Sequence, residues 1–103
     1  MQLDLESWGI MKTILRKFLR DEVRLAPGET PWTEAYAGDV SFLCGDYKVT
    51  FFNDCDSLDY TDSIERQGVK IWDYAAADGR DPLNELTGEE QMRLEEILKA
   101  AKP

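Results

Sequence analysis

The sequence predicts an α+β domain: a small antiparallel sheet of three to four strands, with an N-terminal and a C-terminal helix packed on one of its faces. Both ends of the chain carry apolar residues three and four positions apart, as amphipathic helices do. The middle instead alternates apolar and polar residues around a glycine turn, as paired strands do. A length of 103 residues with 43% hydrophobic residues suits a single acidic domain, residues 1–103, with one core.

The first predicted element is a helix over residues 4–24. Its apolar stripe is Met11, Ile14, Leu15, Phe18 and Leu19, and its basic stripe is Lys12, Arg16 and Arg20. Pro27-Gly28 ends the helical pattern. Residues 26–38 are therefore predicted to form a loop whose aromatic residues, Trp32 and Tyr36, fold back on the core.

A β-hairpin is the clearest local feature of the sequence. The segments Asp39–Cys44 and Tyr47–Asn53 flank Gly45-Asp46, and glycine at the first position of a two-residue connection is typical of a type II′ turn. This turn predicts three facing pairs on one side of the sheet: Cys44 with Tyr47, Phe42 with Val49, and Val40 with Phe51. A slip of one residue would break this agreement, so the apolar pattern supports the register.

A third strand is predicted over about residues 57–65, after a connection at residues 53–56. Strict alternation gives two groups of side chains: Leu58, Tyr60 and Ile64 on one face, and Asp59, Thr61 and Ser63 on the other. Asp62 then falls on the apolar face, which indicates either a nearby sheet edge or a break in the register. Residues 69–72 are a candidate fourth strand.

Two start signals precede the C-terminal helix. Asp81-Pro82 combines an N-cap residue with proline at the first helical position, which predicts one short helical turn. Thr87-Gly88-Glu89-Glu90 is a capping box, which predicts a helix over about residues 88–101. Its apolar stripe is Leu94, Ile97, Leu98 and Ala101.

The acidic residues are concentrated in the centre of the chain. Residues 25–65 contain nine acids and one base, Lys48, which gives a net charge of −8 within a chain total of −9. Such a field attracts cationic partners and repels nucleic acid and anionic membranes. Acidity also serves solubility, and this explanation stays open beside a binding role.

Catalysis is not expected of this composition. The chain has no histidine, which removes the commonest general base, the serine–histidine relay and imidazole ligation of a metal. Its glycines form no phosphate-binding loop. Cys55 lies between Asp54 and Asp56, whose charges disfavour a thiolate. We therefore predict no enzymatic activity and no cofactor.

The segment Asp54–Glu65 invites comparison with an EF-hand calcium loop. Acids occupy positions 1, 3, 9 and 12 of the twelve. Position 5 is Leu58, which offers no side-chain oxygen, and position 6 is Asp59, where the loop requires glycine. A divalent-metal-responsive module built on this segment is therefore an alternative hypothesis, and no metal ligand is assigned.

The cysteines and the first residues predict a cytoplasmic location. The hairpin holds Cys44 and Cys55 at opposite ends of its second strand, about 26 Å apart at ~3.3 Å per residue, whereas a disulfide allows roughly 7 Å. Reduced thiols suit the cytosol. Residues 1–6 lack the basic and apolar segments of a secretory signal. No apolar run approaches the roughly 18 residues of a membrane span.

Two runs of the sequence, together with Asp81-Pro82-Leu83, resemble a family of short proteobacterial proteins of unknown function. The runs are YAGDVSF at residues 36–42 and FNDCDSLDYTDS at residues 52–63. The resemblance covers most of residues 11–100, leaves out residues 1–10, and implies that residues 53–63 are the signature of the family without implying an activity. In size and acidity the chain also resembles anti-CRISPR proteins, which inhibit bacterial defence.

These observations predict a non-catalytic acidic protein that engages a basic surface of a protein partner. Its most concrete form is an inhibitor of a nucleic-acid-handling complex, in which an acidic strip imitates a phosphate backbone. Direct binding to nucleic acid or to a membrane is not expected. The predicted partner-binding residues are Asp46, Phe52, Asp54, Asp56, Asp59 and Asp62. A homodimer joined through the edge of the third or fourth strand is a further alternative.

Overall fold

The computed structural model describes residues 5–75 and 80–103. Within these ranges the elements follow in the order α1 Leu5–Leu19, β1 Arg24–Leu25, α2 Trp32–Ala35, β2 Gly38–Cys44, β3 Tyr47–Asp54, β4 Ser57–Arg66, β5 Val69–Asp73, a 3₁₀ helix Pro82–Glu85 and α3 Gly88–Ala100. The α+β class is confirmed. The sheet, however, has five strands rather than three to four.

The sheet is antiparallel throughout, with each strand beside the next along the chain. The predicted register of the first hairpin is confirmed, since Cys44 faces Tyr47, Phe42 faces Val49 and Val40 faces Phe51. Gly45 has a φ of 58°, while Asp46 has no positive φ, as a type II′ turn requires. The strand predicted at residues 69–72 is present as β5 and forms an edge of the sheet, whereas β4 is paired on both sides.

The additional strand, β1, lies where the sequence predicted the end of the first helix. Helix α1 ends at Leu19, and Asp21 has a left-handed φ of 64° that turns the chain away from the helix axis. Arg24 and Leu25 then pair with Leu43 and Phe42 of β2. A two-residue strand shows no alternation, so the sequence pattern could not reveal it. The predicted start at residue 4 lies outside the described residues.

The segment predicted as a loop contains the short helix α2. Trp32 is fully buried, as predicted. The prediction that Tyr36 folds back on the core is wrong, because this side chain is 66% exposed. Tyr36 follows α2 directly and has a positive φ of 55°, so the chain changes direction at this residue.

One face of the sheet forms the core, and we call it the inner face. The rings of Phe42 and Phe51 lie 6.1 Å apart on it, and Phe18 of α1 makes an edge-on contact with Phe51 at 5.8 Å. The buried cluster combines the stripe of α1 with Leu94 and Leu98 of α3 and with alternate residues of the strands. Alternation places the remaining strand residues on the opposite side, the outer face.

Strand β4 departs from the predicted alternation at two points. Its pairing with β3 skips a residue at Asp62, between Ser63 and Thr61, and again at Asp59, between Tyr60 and Leu58. Each bulge inserts one extra residue and shifts the facing of those beyond it. Tyr60 therefore pairs with Phe52 rather than sharing a face with Ile64, and Thr61 lies fully buried opposite Phe51. The predicted face assignment of Tyr60 and Thr61 is wrong for this reason.

The C-terminal start signals form the predicted caps. Asp81 accepts a hydrogen bond from the backbone N–H of Leu83 at 2.9 Å, at the start of the 3₁₀ helix. Thr87 and Glu90 form the reciprocal capping box of α3. Both cysteines are free, Cys44 buried and Cys55 exposed. Among the described helices, none has the length and apolar character needed to cross a membrane.

Candidate functional site

The outer face has a central row of small hydroxyl residues. Ser41, Thr50 and Ser63 face one another across β2, β3 and β4. The hydroxyl oxygens of Ser41 and Thr50 are 2.7 Å apart and hydrogen-bonded. All three residues are buried, at 5–8% exposure, because they are short and larger neighbours stand on both sides. The two ends of the outer face differ in what these neighbours are.

At the end near the β3–β4 turn, three aromatic rings form a row across the sheet. Phe52 of β3 stacks on Tyr60 of β4 with ring centroids 5.1 Å apart and planes 13° from parallel. Tyr60 in turn contacts Tyr74, just after β5, at 4.4 Å. The three side chains are half-buried, so part of this apolar surface faces solvent.

Carboxylates surround this aromatic row. Asp39 faces Phe52 in the register, and burial, followed by the charges of Asp62 and Glu29, raises the pKa of Asp39. Burial also raises the pKa of Tyr60, and the charges of Asp62, Asp39 and Asp59 raise it further. The Tyr60 phenol therefore lies in the combined field of three carboxylates and stays protonated at neutral pH.

We define the acidic-aromatic patch by six residues: Asp39, Phe52, Asp54, Tyr60, Asp62 and Tyr74. Asp54 belongs to it because strand alternation places its side chain on the same face as Phe52. Within the described part of the chain, Asp39, Asp54 and Asp62 form no ion pair. These three carboxylates therefore lie beside aromatic rings without a direct ion-pair partner, while Lys70, which is bound to Asp73, acts on Asp62 through its charge.

The opposite end of the sheet, near the β2–β3 turn, carries compensated charges. Lys48 of β3 and Glu65 of β4 face each other, with Nζ 4.0 Å from the carboxylate. On the inner face at this same end, the guanidinium of Arg66 lies 5.7 Å from the ring centre of Tyr47, within the range of a cation–π contact. We call these four residues the paired end.

The structure distributes the six predicted partner-binding residues over three places. Phe52, Asp54 and Asp62 lie together in the acidic-aromatic patch. Asp46 lies in the β2–β3 turn, about 26 Å from Asp54 along β3 at ~3.3 Å per residue. The other two turn towards α3.

Asp56 and Asp59 are the two that turn towards α3. Asp56 is 3.7 Å from Nζ of Lys99, and its backbone N–H donates to the carbonyl of Tyr36. Asp59 is the extra residue of one bulge and lines a groove beside α3, although its charge still acts on Tyr60. The charge of Asp56 is thus partly compensated by Lys99. Asp59 lies between the groove beside α3 and the acidic-aromatic patch.

Sequence reasoning missed three residues of the patch. Asp39 could have been found, because the predicted hairpin register already places it opposite Phe52. Tyr60 was assigned to the wrong face because of the bulge at Asp62. Tyr74 follows β5, and only the assembled sheet brings it to Tyr60.

The segment considered as a calcium loop has a different geometry. Residues 57–65 lie in strand β4, and the connection before them is the two-residue turn Cys55-Asp56, in which both residues have positive φ. The acids of the segment therefore follow a hairpin rather than converging on one centre. No group of three or more metal-ligating side chains lies close enough to hold an ion within the described residues.

Comparison with known proteins identifies a family. A family model described as a domain of unknown function, DUF7693, matches residues 10–100. The chain belongs to the DUF7693 family. The matched region of this DUF7693 domain includes the whole sheet, the acidic-aromatic patch and helix α3. The resemblance of residues 11–100 to an uncharacterised family is confirmed. No curated protein and no solved structure gives a significant match.

Proposed function

We propose that this DUF7693 domain is a non-catalytic binding protein whose acidic-aromatic patch engages a basic surface of a protein partner. The observation that carries the proposal is the stack of Phe52 on Tyr60, with ring centroids 5.1 Å apart. Asp39 faces Phe52 in the register, and the charge of Asp62 acts on the Tyr60 phenol. An arginine of the partner would stack its guanidinium on the rings of Phe52 and Tyr60 and donate hydrogen bonds to the surrounding carboxylates.

The aromatic row distinguishes this proposal from acidity that serves solubility alone. A solubilising surface needs dispersed charge without contiguous apolar area. Residues that contribute most to interfaces are buried aromatic and arginine side chains, with charged groups around them. The patch has such an aromatic centre, and its carboxylates favour a partner that supplies the arginine.

The most concrete form of the proposal is an inhibitor of a nucleic-acid-handling complex, of the anti-CRISPR type. The central block of residues 25–65, with its net charge of −8, supports this form. The carboxylates of the patch are fixed on adjacent strands, which lie about 4.8 Å apart in a sheet. A rigid array of negative charges can occupy a basic channel that otherwise holds a phosphate backbone. The two free cysteines suit a reducing, cytoplasmic setting.

The test compares two triple variants that change the net charge equally. The patch variant carries Asp39→Asn, Asp54→Asn and Asp62→Asn. The control carries Asp21→Asn, Glu34→Gln and Glu96→Gln, all exposed residues without an ion pair among the described ones. Each protein is used to capture partners from host lysate at low and high salt, after circular dichroism has shown that it is folded.

We expect wild type and control to retain the same basic partner at low salt, and the patch variant to lose it. Displacement of the captured partner by single- or double-stranded nucleic acid then tests the inhibitor form. Equal retention by both triple variants would show that the patch is not the binding surface. Equal loss would show that only the net charge of the protein matters.

A further inference from the structure

A groove of about 220 Å³ lies between the start of β4, the 3₁₀ helix and α3. Its walls include three apolar side chains, Leu58, Leu83 and Met92, and Met92 is 69% exposed at the rim. Carboxylates line the same groove, from Asp59 at the β4 bulge, Asp81 at the start of the 3₁₀ helix and Glu95 on α3. Apolar walls and acidic groups thus share one concave site.

We propose that this groove binds the side chain of one arginine in a peptide segment of a protein partner. The groove shares no residue with the acidic-aromatic patch, although the charge of Asp59 also acts on Tyr60 of the patch, and the proposal does not depend on the patch. It depends on three properties of the groove: its free hydrogen-bond acceptors, its volume and its negative charge.

Hydrogen bonds within the protein hold the side chains that line the groove in place, and some of their oxygen atoms remain able to accept further hydrogen bonds. Asp81, 5% exposed, accepts from the backbone N–H groups of Leu83 and Thr61 at 2.9 and 2.8 Å. Glu95 accepts from the N–H of Leu58 at 2.6 Å, which ties α3 to β4. These contacts hold the two carboxylates without a rearrangement on binding.

Two further side chains supply the unused capacity. The amide nitrogen of Gln91 donates to the carbonyls of Leu83 and Leu86, so its oxygen is left as an acceptor. Glu95 lies 3.7 Å from Lys99, whereas Asp59 forms no ion pair among the described residues. Asp59 is therefore the carboxylate that a cationic ligand would neutralise.

The size of the groove matches one long side chain. A cavity of about 150 Å³ can hold one benzene molecule, so a groove of about 220 Å³ has room for a single long side chain. An arginine side chain has seven heavy atoms beyond Cα. Its methylene groups would lie against Leu83 and Met92, while its guanidinium would donate to the carboxylate of Asp59 and the oxygen of Gln91.

The charge and chemistry of the lining decide against other ligands. Anions would meet carboxylates, and neutral polar ligands would gain no attraction from the charge of Asp59. Arginine is favoured over lysine because its guanidinium is planar, less strongly hydrated and carries several donors for acceptors that are spread apart. A flexible methionine at the rim adapts to such a ligand.

The experiment titrates ¹⁵N-labelled protein with three capped pentapeptides, Gly-Gly-X-Gly-Gly, in which X is arginine, lysine or citrulline. Citrulline keeps the shape of arginine and removes its charge. We expect the arginine peptide to shift the backbone amides around Leu58, Gln91 and Met92, with a dissociation constant on the order of 1 mM. Citrulline should bind at least about tenfold more weakly, because hydrogen bonds between charged groups are the stronger ones.

Two exposed groove residues provide variants that should fold normally. Asp59→Asn should weaken binding of the arginine peptide about tenfold by removing the charge partner. Met92→Ala should weaken it less and equally for arginine and lysine, because it removes only apolar contact. Asp21→Asn, which makes the same charge change at an exposed position after α1 and outside the groove, should leave the affinity unchanged.

Three results would overturn the proposal. They are equal affinity for arginine and citrulline, unchanged binding by Asp59→Asn, and shifts spread evenly over the acidic surface, the patch included. If the arginine peptide binds as expected but the triple-variant capture fails, the proposal for the groove stands and the proposal for the patch is rejected. The two proposals are therefore tested separately.

Discussion

The two ends of the sheet differ in whether their charged side chains have partners of opposite charge. At the paired end, Lys48 and Glu65 face each other, and Arg66 lies over Tyr47. At the acidic-aromatic patch, Asp39 and Asp62 raise the pKa of neighbouring groups and have no ion pair within the described residues. The density of acids along the chain does not distinguish these ends. The two ends are distinguished by where the fold places the cationic side chains.

The patch also differs from the paired end in its backbone. Both bulges in the pairing of β3 with β4, at Asp59 and Asp62, lie at the end that carries the patch, whereas the register shift between β4 and β5, which skips Ile71, lies beside Glu65 of the paired end. Bulges redirect side chains and increase local twist, and they are frequent beside functional sites. The buried carboxylate of Asp81 holds the bulged segment by accepting from the N–H of Thr61. This difference suggests three measurements on the isolated protein.

The largest effect is expected from removing the anchor of the bulged segment. Asp81→Ala leaves the N–H groups of Thr61 and Leu83 without their acceptors, at a cost of about 3 kcal/mol of unfolding free energy. Asp81→Asn retains one acceptor oxygen and should fall between Ala and wild type. Urea denaturation gives these values, with Asp46→Ala as the control within about 0.5 kcal/mol of wild type. A loss below about 1 kcal/mol for Asp81→Ala would mean that the bulge holds without its anchor.

A smaller effect compares the facing pairs of the two ends. A double-mutant cycle on Phe52 and Tyr60, with alanine at each position, should give a coupling energy of about 1 kcal/mol, as stacked aromatic pairs do. The same cycle on Lys48 and Glu65 should give less than about 0.5 kcal/mol, because water screens an exposed ion pair. Equal couplings would show that the ends do not differ in their cross-strand energetics.

The smallest effect concerns the like charges of the patch. The pKa of Asp39 is raised in the folded protein, first by burial and then by Asp62 and Glu29. The stability that this group confers is therefore complete below the ordinary Asp pKa of about 3.9, and it is lost as pH rises through the raised value. Asp39→Asn should be more stable than wild type by a few tenths of a kcal/mol at pH 7, since solvent screens the effect.

The check on this effect is urea denaturation across pH. The advantage of Asp39→Asn should shrink towards zero at about pH 3, where the wild-type carboxyl is protonated. Asp46→Asn at the other end of β3 should give no such gain. If Asp39→Asn were less stable than wild type at pH 7, the patch would contain a compensating cation, and the contrast between the ends would be wrong.

The pairing of the strands explains which parts of the candidate site could be predicted from the sequence. The hairpin register was predictable because glycine at the first turn position and the apolar alternation impose the same pairing. The face of Tyr60 was not, because nothing in the spacing of residues 57–65 marks where an extra residue is accommodated. Asp46 and Asp54 look like members of one acidic strip in the sequence, yet β3 separates them by its full length.

Residue patterns alone were enough to predict the α+β class, the first hairpin with its register, the capping box of α3 and the excess of acid in the centre of the chain. These features follow from short-range patterns of turn chemistry, capping and alternation, and from composition. The assembled fold was needed to reveal the fifth strand, the two bulges of β4, and which carboxylates lie beside a cation and which beside Tyr60. Those outcomes depend on contacts between residues far apart in the chain, for which a local pattern carries no signal.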